Sequence, residues 1–152
     1  HVIGAGETGE ARFREMIGRV PVALQVHPRT PFEKMSELFE RIGADVGIVL
    51  LSDESAGLVS PSKFSAYLAA GLPLLYIGPE ETNSDLICTR FAAGWSLRSG
   101  FSAESIGKTC VELWSDECMR SRAERVAEAR RYFESFNGET FAELVSNALP
   151  VA

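Results

Sequence analysis

The sequence predicts an α/β fold: an open parallel sheet with helices on both faces and a helical C-terminal tail. Three observations carry this. Short apolar runs alternate with amphipathic stretches from residue 1 to residue 97, the order that successive βαβ units produce. Residues 45–51 (DVGIVLL) are apolar at successive positions, the mark of a parallel strand covered on both sides. From residue 103 onward the apolar spacing is helical throughout.

Taken in order, the first strand is brief, residues 1–5, and is interrupted by glycine. Residues 8–18 carry Phe13, Met16 and Ile17 at helical spacing, and residues 22–26 form a second strand after Pro21. Thr30 before Pro31, with Glu33 three positions on, reads as a capping box with proline in the first helical position. Phe32, Met35, Phe39 and Ile42 mark the buried face of that helix, and Gly43 closes it. Residues 45–51 are expected at the middle of the sheet. A polar loop over 52–59 leads to a helix opening at Ser60, with Phe64, Tyr67 and Leu68 on its inner side and Gly71 at its end. A strand at 74–77, a Gly78-Pro79 break, a helix over 83–93 and a short strand at 95–97 follow. Helices at 103–114 and 116–136 come next, and Asn137-Gly138 precedes a last helix bearing Phe141, Leu144, Val145 and Ala148. Five strands and about six helices make a Rossmann-like sheet, read as one domain over 1–152. Right-handed crossovers align the carboxyl-end loops along one rim, so 4–8, 27–30, 52–63 and 78–83 are where a ligand is expected.

Composition narrows the function classes. With 152 residues, 45% hydrophobic and 24% charged, the chain has apolar surface enough for one soluble core. A formal charge of -6 lacks the electrostatic footprint of a nucleic-acid binder. Cys88, Cys110 and Cys118 have no CxxC spacing and are read as small core residues in a reducing compartment. Neither a transmembrane run nor a signal pattern is present, so a cytoplasmic protein is expected. Because the chain opens inside a strand at His1, a fragment of a longer protein is expected as well.

The strongest local motif is Ser60-Pro61-Ser62-Lys63, in which a capped helix start with outward amides attracts anions. Lys63 is informative because a cation in the first turn opposes the helix dipole at a cost of roughly 0.3 to 1 kcal/mol. Either a diphosphate offsets that charge, or Lys63 is solvated or paired with Asp53 or Glu54. Gly4-x-Gly6-x-x-Gly9 follows the first strand, but the acidic residue that a dinucleotide fingerprint needs is replaced by Val26-His27-Pro28-Arg29. Glycines that merely permit a tight turn are the preferred reading, with an NADP site through Arg29 as the other. His27 and Arg29 face the rim, as do Asp53, Glu54, Glu80 and Glu81. With two histidines and no second ligand at metal spacing, no metal is assigned. GxSxG and GxxxxGK[ST] are both absent. Glu124 and Glu128, beside Arg125, Arg130 and Arg131, are read as a wet helix surface.

Three pieces of residues 44–97 carry a family resemblance: the AD-V-G-I-V strand, the PSK-x-x-x-Y-L-A-A-G-L-P helix and turn over 61–73, and I-G-P with A-G-W at 77–79 and 93–95. In order and spacing the segment resembles the C-terminal nucleotide-sugar-binding domain of group-1 glycosyltransferases with the two-domain GT-B fold. The resemblance implies a nucleoside-diphosphate-sugar donor, no further cofactor, and an acceptor that is a sugar, a lipid-linked or a small molecule. The acceptor would be held by an N-terminal domain outside this chain, and the full enzyme is expected either in the cytoplasm or peripherally at a membrane surface. It implies that Lys63 acts in catalysis by stabilising the departing diphosphate. The expected donor site comprises Ser60, Ser62, Lys63, Gly6, His27, Arg29, Asp53, Glu54, Gly78 and Glu80. Two departures stand out: Ala66 occupies the place of the family's ribose-binding glutamate, and Leu58 that of an acidic residue eight positions earlier. The rival readings are a nucleotide-sugar epimerase of the same architecture, an NADP-binding Rossmann protein, and a non-catalytic flavodoxin-like signalling or interaction domain. For a receiver of that last kind, the central strand ends Leu50-Leu51-Ser52 where an Asp is required.

Overall fold

The computed structural model describes residues 1–3, 6–18, 23–58, 61, 63–98 and 100–135. In chain order the elements are β1 (Val2–Ile3), α1 (Gly6–Ile17), β2 (Val26–His27), α2 (Met35–Arg41), β3 (Gly47–Leu50), α3 (Lys63–Ala69), β4 (Leu74–Gly78), α4 (Asn83–Thr89), β5 (Gly94–Arg98), α5 (Ala103–Leu113) and α6 (Asp116–Glu134). Short 3-10 turns at Phe32–Lys34 and Asp53–Ser55 precede α2 and α3. Every strand pairing is parallel, and the chain has the Rossmann-like α/β fold that its patterning predicts. The strands form two ladders, β1-β2 and β3-β4-β5, and the chain divides into two compact units, His1–Ala44 and Asp45–Ala152. Residues 137–148, where the last helix is expected, lie outside the described residues. No described helix is long and apolar enough to cross a membrane.

In the first unit, β1 and β2 pair Val2 with Val26 and Ile3 with His27. The side chains of Phe13, Met16 and Ile17 on α1 lie outside the described set. The expected capping box at Thr30 does not form. Thr30 Oγ1 donates to the Pro28 carbonyl at 3.2 Å, and extended Pro31 has no side-chain cap, so a 3-10 turn intervenes before α2. That offset rotates the apolar residues: Leu38 and Phe39 are buried, whereas Phe32, expected on the inner face, is 58% exposed.

In the second unit β4 holds the centre, with β3 and β5 at its sides. Leu74 and Tyr76 of β4 are fully buried, and Val49, Phe64, Leu68, Ile87, Phe91, Val126 and Ala129 complete the core around them. Close approach is made possible by glycine. A Cβ on Gly47 would stand 2.3 Å from the Tyr67 ring, which therefore lies directly on the strand. Phe133 of α6 reaches back to Phe64, with ring centroids 5.3 Å apart. By strand alternation Trp95 points to the other face, where its Nε1 donates to Glu112 of α5 at 2.8 Å. Arg122 of α6 lies over the Trp95 ring at 5.5 Å and donates to the Ala92 carbonyl, so three elements meet on one indole.

Residues 45–51 therefore do not lie at the middle of this ladder. β3 has a strand neighbour on one side only in this ladder, and it buries Gly47 and Val49 but exposes Ile48 and Leu50, so one of its faces is covered and the other is not. The cysteines differ from expectation too. Cys88 is a core residue, Cys110 is exposed and Cys118 is half-buried. Burial pushes the Cys88 thiol up to about 12, from an ordinary value of 9. The folded chain thus keeps a proton that the unfolded chain releases from pH 9 upward, and stability falls as pH climbs from 9 towards 12. Burial also raises Tyr67 and Tyr76, adding to that loss above pH 10. Urea midpoints measured between pH 8 and 11 should decline, and iodoacetamide at pH 8.5 should label Cys110 but spare Cys88 until the chain unfolds. Labelling of native Cys88 as fast as Cys110 would contradict this.

Candidate functional site

Parallel pairing of β3, β4 and β5 brings the loops leaving their carboxyl ends to one rim of the second unit. Asp53 and Glu54 sit in the 3-10 turn after β3, Lys63 opens α3, Gly78 ends β4, Glu80 lies in the next loop and Arg98 ends β5. Gly78 is buried, and a Cβ there would stand 2.6 Å from Tyr76 Oη and 2.7 Å from the Leu51 carbonyl oxygen. Only glycine lets β4 approach the β3 loop so closely.

The rim loop after β4 is tied down by a carboxylate that sequence reading missed. Asp85 is 3% exposed, and its backbone N–H donates to Thr82 Oγ1, which caps α4. Its carboxylate accepts from the Glu81 backbone N–H at 3.1 Å and from Ser96 Oγ at 2.7 Å. Arg98 Nη2 stands 3.9 Å away, while Arg98 Nη1 is bound to Glu80 at 2.8 Å. Glu81 is held at φ 59, a left-handed conformation rare outside glycine, and the Asp85 bond to its amide secures that turn. Tyr76 Oη donates to the Pro79 carbonyl at 2.9 Å. Its phenol is raised by burial, against a hydrogen bond from Thr82, with Asp85, Cys88 and Asp53 adding to the rise. Thr82-x-x-Asp85 ahead of Leu86 and Ile87 is itself a readable helix-start pattern, and it was the available signal. Ser96 and Arg98 had none, since only strand register brings them to Asp85.

Lys63 is exposed and takes part in none of the salt bridges found among the described residues. Glu80 is occupied by Arg98. Ser60 and Ser62 lie outside the described residues. Gly6, His27 and Arg29 belong to the first unit: Gly6 opens α1, His27 ends β2, and Arg29 is exposed just beyond it. Ala66 is turned into the core at 5% exposure and Leu58 is 81% exposed.

Fold and rim together define a Rossmann-like α/β chain with a charged carboxyl-end loop cluster. Comparison with models of protein families, with curated proteins and with solved structures finds no match.

Proposed function

We propose that the chain is the donor-binding part of a two-domain glycosyltransferase, taking a nucleoside-diphosphate sugar whose acceptor is held by a separate domain. The observation that carries this reading is Lys63: an exposed ammonium without a described counter-ion, in the first turn of a helix at the carboxyl rim of a parallel sheet. It lies in the PSKFSAYLAAGLP segment that resembles the family's donor site. A lysine there opposes the helix dipole, and a diphosphate would reverse that penalty. Glycosyl transfer leaves negative charge on the departing diphosphate, and a cation already in place stabilises it without reorganisation. Arg98 is engaged by Glu80 and Asp85, so Lys63 is the rim cation assigned to phosphate. With Glu80 engaged by Arg98 and Ala66 buried, recognition of ribose or hexose hydroxyls falls to Glu54 in the β3 loop.

Calorimetric titration with UDP, GDP and ADP tests the proposal. Binding of at least one is expected, and Lys63→Ala should weaken whichever bind by about tenfold each, or about 1.4 kcal/mol. No heat with any diphosphate would overturn the reading. Stabilisation by NADP in place of the diphosphates would favour the dinucleotide reading of Gly4, Gly6 and Gly9.

A further inference from the structure

Two imidazoles separated by 26 positions in sequence meet in the first unit. His1 directly precedes β1 and His27 ends β2. With Val2 opposite Val26 and Ile3 opposite His27, the two histidines are diagonal neighbours on one face of the ladder, a separation that ring side chains can span. Their rings stack with centroids 5.3 Å apart and an interplanar angle of 26°, and His1 Nδ1 stands 3.0 Å from His27 Nε2.

We propose that this pair is a two-imidazole binding site for a divalent transition ion of the zinc class. Two nitrogens bound to one tetrahedral ion at about 2.0 to 2.1 Å lie roughly 3.3 Å from each other. The rings therefore need to part by only a few tenths of an ångström and turn both lone pairs towards a common point. The proton that bridges the two nitrogens moves through solvent to the other nitrogen of its own ring, so both ligating atoms become unprotonated, as a metal requires. Neutral imidazole suits zinc, nickel and copper, whereas magnesium and calcium take oxygen ligands. Among the described residues no group of three or more His, Cys, Asp or Glu side chains gathers. The described residues thus leave the ion's remaining positions to water or an incoming ligand. Metal motifs of sequence do not flag such a site, because the parallel register, not chain spacing, creates it.

A bound ion would also tie together β1 and β2, each two residues long, and would stabilise the folded chain by mass action. The test uses the full chain with Cys110 and Cys118 blocked by alkylation, titrated with zinc chloride alone. Because the chain has two histidines, their ring C–H resonances report directly on the site. One equivalent of zinc should shift both sets and raise the melting temperature, and magnesium chloride should do neither. His27→Ala and His1→Gln should each weaken zinc binding at least tenfold. Imidazole resonances of the unaltered chain that stay fixed on adding zinc would overturn the proposal, as would undiminished binding in a folded variant. Should His27→Ala fail to fold, the resonances of the unaltered chain decide the matter alone.

Discussion

Gly94→Ala is expected to destabilise the second unit by about 3 kcal/mol or more, the largest loss among the single changes considered. A Cβ at this position would stand 2.1 Å from the Leu74 carbonyl oxygen and within 2.9 Å of two further Leu74 backbone atoms. Leu74 cannot yield. It is fully buried, lies on the central strand between Gly47 and Gly94, and donates its N–H to the Ala93 carbonyl at 3.1 Å. Relief requires β5 to move off β4, breaking a five-pair parallel ladder and loosening Trp95 from Glu112. Urea denaturation measures the loss, with Gly107→Ala as a control. Gly107 lies in α5 with open space where a Cβ would go, so alanine there should be neutral or mildly stabilising. A Gly94→Ala chain as stable as the control would show that β4 and β5 do not approach as described.

The second large effect is expected at Asp85. Removing its carboxylate in Asp85→Ala strands the Glu81 N–H and the Ser96 hydroxyl and takes a counter-charge from Arg98, at a cost of about 2 to 4 kcal/mol. Asp85→Asn should cost much less. One orientation of the amide accepts from Glu81 N with its oxygen and donates to Ser96 Oγ with its nitrogen, preserving both short bonds and losing only the charge. The ordering, alanine far worse than asparagine, separates a buried hydrogen-bond hub from a simple ion pair with Arg98, for which both changes would cost alike. Unfolding midpoints of the two variants decide it. Since Asp85 holds the loop carrying Glu80, the alanine variant should also bind diphosphates less well if the donor-site proposal holds.

Much of the architecture was legible because its signals are local. Glycine and proline punctuate the chain at Gly43, Gly71 and Gly78-Pro79, and between them apolar residues recur with the strand or helix period, so the order of five strands and the helices between them could be read directly. The parallel sense of the strands follows from that alternation. Local rules reached their limit where a side chain had two partners to choose from: Thr30 bonds back to Pro28 instead of capping a helix, and Phe32 turns outward with the turn that results.

Sequence alone determined the class of fold and the order of its five strands and the helices between them, because hydrophobic periodicity and turn chemistry act over a few residues. Only the tertiary structure decided that β4 and not β3 is the middle of its ladder, that Asp85, Ser96 and Arg98 converge, and that His1 meets His27. Those outcomes depend on which strands pair and in which register. Register joins residues 11 to 26 positions apart, and no short-range pattern of apolar and polar residues encodes it.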